Sequence, residues 1–175
     1  PLYGGGSNGK APHIRSYFDS YFTIYAGLQR WHKSLGDEVI SQGYIQTPSG
    51  RQFAFPGAKR LRSGRVTNHT QVVNFPCQSF ATADIVPLSC IRALTRFREE
   101  GLQSKLILTV HDSIVVDIHP DEIDAVGVAL QWAMSGVDEE LKDRFDYQTV
   151  LPLDIEYSVG NNWMEMEELS VATDT

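Results

Sequence analysis

Apolar residues fall at Ile14, Tyr17, Phe18, Tyr21, Phe22, Tyr25, Leu28, Trp31, Leu35 and Val39. Their spacings are mostly three and four, which predicts an amphipathic helix over residues 12–42, with Gly27 and Gly36 as the places where it would break or bend. The glycine-rich opening, PLYGGGSNGKAP, is too poor in apolar residues for regular structure and reads as a loop. YIQTPSGRQFAF carries two short β-prone runs around Pro-Ser-Gly and predicts a hairpin. A loop to about Thr70 follows.

Ile85, Leu88, Ile91, Leu94 and Phe97 mark a further helix. Pro87 suits its first turn if the helix begins near Asp84, and predicts a kink if it begins earlier. LILTV and IVVDI then flank His111, Asp112 and Ser113, too few residues for anything but a tight turn, so a β-hairpin with this triplet at its tip is expected. Pro120, Asp121 and Glu122 open a helix running through Leu141. A short strand, LDIEYSV, leads into GNNW. The overall expectation is an α+β fold.

With 175 residues and 42% hydrophobic content, the chain can bury a core as one domain or as one domain with an appended subdomain. No run approaches the roughly 18 apolar residues of a membrane span, and no leader pattern is visible, so an intracellular protein is expected. Cys77 and Cys90 lack metal-site spacing and are expected to be buried apolar fillers.

The net charge of −7 argues against a polyanionic partner until its distribution is considered. Residues 1–83 hold nine Lys or Arg against three acids, a balance of +6, which leaves −13 for the rest. No acid occurs between Glu38 and Asp84, whereas that window contains Arg51, Lys59, Arg60, Arg62, Arg65 and His69. These five Lys and Arg side chains are therefore candidates to face a nucleic-acid backbone. Gly4 to Lys10 has the spacing of a phosphate loop, but Ala11 stands where a Ser or Thr would bind magnesium and no strand precedes it.

Asp112 is a charge at the end of two strongly apolar strands, so it must be solvated, paired or metal-bound. Mg2+ takes hard oxygen ligands of this kind. Asp117 and Glu122 would be the further carboxylates of a metal-dependent hydrolase, but they belong to the far end of the second strand.

TVHDSIVVDI resembles the motif C hairpin of family A (polymerase I type) DNA polymerases, usually VHDE, and NFPCQSFATADI resembles their N-x-P-x-Q-G-x-A-A-D-I segment. YF followed by IYAGLQRW, SQGYIQTPSGRQFAFP and the closing VGNNW are similar to further segments of that family in the same order. PLYGG resembles the end of its motif B.

The resemblance implies that residues 1–65 are the mostly helical C-terminal part of the fingers subdomain and residues 66–175 a palm portion with motif C. It makes Asp112 one of two carboxylates holding two catalytic Mg2+ ions and His111 a neighbour of the primer terminus. Asn74 and Gln78 become minor-groove contacts, and Tyr3 sits by the templating base. Ser113 replaces the usual Glu, and Thr70 stands where an Arg that touches the duplex is common. The triplet HDS also occurs in single-subunit RNA polymerases of the same superfamily.

The reaction implied is template-directed addition of a deoxynucleoside triphosphate to a primer 3′-hydroxyl, in the cytoplasm of a bacterial or phage-infected cell. The motif A aspartate and the nucleotide-binding helix are not in the sequence. A complementary polymerase fragment or subunit is therefore the expected partner, and a non-catalytic DNA-binding module is the alternative.

Overall fold

A computed structural model describes residues 12–169. Its described residues divide into two units, one of residues 12–45 and 53–74, the other of residues 46–52 and 75–169.

In the first unit the expected single helix is two, α1 (Pro12–Ile24) and α2 (Ala26–Gln42). The break is at Tyr25 and not at either glycine. Gly36 instead lets α2 approach Val66, whose Cγ1 lies 3.4 Å from where a Cβ would stand. Gly43 ends α2 at φ 80° and donates its N–H to the Val39 carbonyl, a left-handed helix end that glycine adopts without steric cost. Leu35, Val39, Ile45, Phe55, Val66 and Val72 are buried here. The face of α1 carrying Tyr17, Phe18 and Tyr21 is exposed, so its aromatic spacing marks a face without cover among the described residues.

Strands β1 (Tyr44–Gln46) and β2 (Gln52–Ala54) form the expected hairpin. Its turn is closed by Thr47 N–H to the Arg51 carbonyl at 2.9 Å, with Gly50 at φ 83°. The basic stretch after it is folded back on itself rather than open. Arg60 and Val66 form a β-bridge, Leu61 N–H donates to the Arg65 carbonyl at 2.7 Å, and Gly64 turns the chain at φ 82°.

From His69 the chain is helical without interruption to Glu99, through α3 (His69–Phe80), a π-helical turn (Ala81–Ile85) and α4 (Val86–Glu99). The helix thus begins well before Asp84, and the π turn is where it accommodates Pro87. Val86 N–H reaches back five residues to Ala81. Pro87 has no N–H for the Ala83 carbonyl four residues earlier, and Arg51 Nη2 supplies a donor to that carbonyl at 3.2 Å.

The second unit packs α4 against α5 (Ile123–Ser135), with β3 (Lys105–Val110) and β4 (Ser113–Asp117) paired antiparallel beside them. Ala93, Phe97, Val126, Ala129, Leu130 and Ala133 form the core, and Leu106, Ile114, Val116 and Ile118 of the hairpin pack on it. Ile91 and Leu94, two of the apolar positions that mark this helix in the sequence, are exposed on α4. The helix meets its neighbours along the stripe Val86, Ser89, Ala93 and Phe97, which leaves Ile91 and Leu94 on another face.

The helix expected to reach Leu141 breaks at Gly136 into α5 and α6 (Val137–Phe145). A Cβ at Gly136 would stand 2.8 Å from the Trp132 carbonyl. Buried Arg92 donates to the Ala133 carbonyl at 3.2 Å and the Trp132 carbonyl at 3.3 Å, capping the end of α5, and its guanidinium lies 4.1 Å from the Trp132 ring centroid. The predicted strand LDIEYSV is regular only as β5 (Ser158–Val159), paired with β6 (Glu167–Glu168). Cys77 is exposed and Cys90 half-buried, so neither is the buried filler expected. No helix among the described residues is long and apolar enough to cross a membrane.

Candidate active site and nucleic-acid interface

The β3–β4 register pairs Val110 with Ser113, which leaves His111 and Asp112 as a two-residue turn. His111 has φ 54°. Positive φ is characteristic of tight hairpin turns, and histidine is among the few residues with side chains that adopt it readily. Ser113 Oγ donates to the Val110 carbonyl at 2.8 Å and ties the two ends of the turn together. The residue at this position thus has a structural task.

Asp112 is exposed and has no side-chain hydrogen bond or cation partner among the described residues. The apolar strands behind it are anchored on the helical core, so the carboxylate is presented to solvent on a rigid support. The register shifts between Leu106 and Leu108, a bulge that leaves Ile107 and Leu108 exposed. Such bulges re-aim the side chains beyond them.

Asp112 suits Mg2+ as one hard-oxygen ligand, but no cluster of three His, Cys, Asp or Glu side chains occurs among the described residues. Asp117 pairs opposite Lys105, at the other end of the hairpin. Glu122 is committed elsewhere. Its carboxylate accepts from Gln103 N–H at 2.9 Å, Ser104 N–H at 2.9 Å and Ser104 Oγ at 2.6 Å. These bonds, that from the Gln103 backbone first, hold its pKa below the usual carboxylate value. The carboxylates a hydrolase would need do not converge on Asp112.

Asn74 and Gln78 are exposed on α3, four residues apart and so on one face of the helix. The basic window separates into two groups. Arg51 is bound to Asp84 at 2.9 Å, and Arg60 to Asp37 and to the Gly64 carbonyl at 2.9 Å. Lys59, Arg62 and Arg65 are exposed, and their side chains have no hydrogen-bond or carboxylate partner among the described residues. Tyr3 lies outside the described residues.

Two features escaped the sequence reading. One is the node of Ser49, Arg51 and Asp84, in which Ser49 Oγ donates to Asp84 Oδ2 at 2.7 Å. The π turn is the other. Both involve the ATADI string, but nothing in its spacing marks them.

The sequence profile of DNA polymerase family A matches residues 9–165. DNA polymerase I of Chloroflexus aurantiacus is 28% identical over 157 residues, covering 90% of this chain and 16% of that protein. The thermostable DNA polymerase I of Thermus aquaticus is 26% identical over 155 residues, 88% of this chain and 17% of that one. DNA polymerase I of Pseudomonas aeruginosa is 28% identical over 177 residues, 94% and 18% respectively. The chain thus spans less than a fifth of the length of these relatives.

Among solved structures, the POL domain of Pol1 from M. smegmatis, in complex with DNA primer-template and dNTP, superimposes with a TM-score of 0.69 at 22% identity. That match covers 82% of this chain and 24% of the other, and it agrees with the α+β fold expected. A profile matched along nearly the whole sequence, with the HD turn and the α3 segment in family order, means that this chain belongs to DNA polymerase family A.

Proposed function

We propose that this chain supplies the motif C part of a DNA-directed DNA polymerase, with residues 1–65 belonging to the fingers and residues 66–175 to the palm. The observation that carries this reading is Asp112, an unpaired carboxylate beside His111 at the tip of a braced hairpin, in a chain of this family. Bacterial relatives named DNA polymerase I support a cytoplasmic setting, and the matching POL domain in complex with DNA primer-template and dNTP supports those two as substrates here.

Two Mg2+ ions, when bound, would stabilise the charge on the attacking and leaving oxygens of the transfer. Asp112 would hold part of that metal site. His111 beside it would position the primer end, and Asn74 and Gln78 would donate to the N3 and O2 acceptors that every correct base pair presents in the minor groove. Lys59, Arg62 and Arg65 would neutralise backbone phosphates.

One carboxylate does not complete such a site. We therefore assign the second to a complementary polymerase segment carrying motif A and the nucleotide-binding helix. Ile107, Leu108 and Val110 are exposed on β3, which has only β4 beside it among the described residues. An apolar groove of about 310 Å3 runs between β3 and α4, lined by Ile91, Leu94 and Leu108. An open strand edge next to an uncovered apolar groove favours capture by another polypeptide.

The test is primer extension with Mg2+ and four deoxynucleotides, by the chain alone and with the complementary segment. Synthesis is expected only in the combination. Asp112→Ala should abolish it there and leave DNA binding and the melting temperature unchanged, since a metal ligand of this kind acts on the transition state. Unchanged turnover by that variant would remove the assignment.

A further inference from the structure

The first unit contains a cavity of about 450 Å3 that the catalytic reading does not use. Phe22 of α1, His32 and Lys33 of α2, Arg60 and Arg65 of the folded-back loop and His69 of α3 line it. Its volume is within the range of small-ligand sites.

Five basic side chains surround this hollow, and no carboxylate is among its lining residues. Arg60 is neutralised by Asp37 beside it. Lys33 and Arg65 have no carboxylate partner among the described residues. Burial, Arg65 and His32 together hold the pKa of His69 below its ordinary value. Positive charge gathered without an anion is unfavourable by itself and becomes favourable when an anion enters.

The aromatic lining narrows the choice of anion. Phe22 meets His32 edge-on with ring centroids 6.2 Å apart, and His32 meets His69 in the same way at 5.9 Å. Three helices thus bring three rings together next to the free cations. Rings beside Lys and Arg are the combination that binds unpaired nucleotides, through base stacking and phosphate charge. A base within a duplex has both faces covered by its neighbours and offers none to such a site.

We propose that this cavity takes one nucleotide of an unpaired nucleic-acid strand, its phosphate on Lys33 and Arg65 and its base against the rings of Phe22, His32 and His69. The proposal rests on the nucleic-acid partner argued above. Inorganic phosphate shares the charge of the ligand and lacks the ring, so it serves as the control.

The experiment measures binding of a fluorescent single-stranded oligonucleotide to the full chain, without Mg2+ or nucleotides. The unlabelled single strand, its duplex, an abasic strand of equal length and inorganic phosphate serve as competitors. The single strand should compete best. Replacing both Lys33 and Arg65 with Gln should weaken binding about ten-fold and flatten the salt slope by roughly 0.7 for each phosphate no longer neutralised. Phe22→Leu should weaken the base-bearing strand by at least about five-fold and leave the abasic strand unchanged.

Circular dichroism establishes that each variant is folded. Should Phe22→Leu unfold, ring-proton shifts of His32 and His69 in the unsubstituted chain, seen with the base-bearing strand and absent with the abasic one, report the same stacking. Equal competition by the abasic strand or by phosphate would reduce the cavity to an anion site and overturn the proposal. So would folded variants that bind like the original chain, or a chain that binds no strand. None of these results touches the Asp112→Ala test, which reads extension through a residue of the other unit.

Discussion

Arg51 Nη2 lies 2.9 Å from Asp84 Oδ1 and also donates to the Ala83 carbonyl at 3.2 Å. One guanidinium thus neutralises a buried carboxylate and satisfies the carbonyl that Pro87 cannot reach. Asp84 is only 8% exposed, whereas Arg51 is about half exposed. Asp84→Asn or Arg51→Met should therefore lower unfolding free energy by about 1–3 kcal/mol, less than the loss of a fully buried pair. The two substitutions together should cost less than their sum, because each removes the same ion pair. Urea unfolding of the two single variants and the double variant checks this, and strict additivity would mean that the pair is not coupled.

His111 provides a contrast between stability and activity. Its φ of 54° is a conformation that glycine adopts without a steric penalty. His111→Gly should leave the fold intact and raise stability by up to about 1 kcal/mol. Primer extension by the completed enzyme should fall, because the imidazole beside Asp112 is lost. A variant that is less stable and equally active would contradict both halves of this expectation.

Glu122 links stability to acid. Hydrogen bonds from Gln103 and Ser104 lower its pKa in the folded chain from the ordinary 4.5. A depressed carboxylate contributes stability that is fully present above the unfolded value and is lost as pH falls through the lower folded value. The unfolding midpoint should therefore drop below about pH 4.5, with a shallower drop in Glu122→Gln than in the unsubstituted chain. Parallel pH slopes for the two proteins would show that Glu122 is not linked to folding.

The two groups of basic side chains should behave differently on DNA. Lys59→Ala with Arg62→Ala should weaken binding about equally on all sequences and flatten the dependence on salt, by up to about 0.9 for each duplex phosphate no longer neutralised. Arg60→Ala should change affinity less, because Asp37 already engages its charge. Filter binding between low and physiological salt separates the cases. A larger loss from Arg60→Ala would reverse the ranking.

By itself the sequence determined the local events and the family. Two apolar runs around three polar residues allow little but a hairpin with Asp112 at its turn, and VHDS, NFPCQ and GNNW are strings whose order carries the resemblance. The hairpin around Pro-Ser-Gly was legible for the same reason, since turn chemistry acts over four or five neighbouring residues.

Tertiary structure alone decided which faces are covered and which charges are free. Ile91 and Phe97 are equally apolar in the sequence, yet α5 and the hairpin cover only the second. Arg51 and Arg62 are equally basic, but a carboxylate 33 residues further on claims the first. The same guanidinium, distant in sequence, donates to the Ala83 carbonyl in the π turn, which Pro87 leaves without an N–H. Periodicity and turn chemistry record interactions between near neighbours in the chain. Burial and ion pairing depend on residues that folding brings together, and no local pattern carries that information.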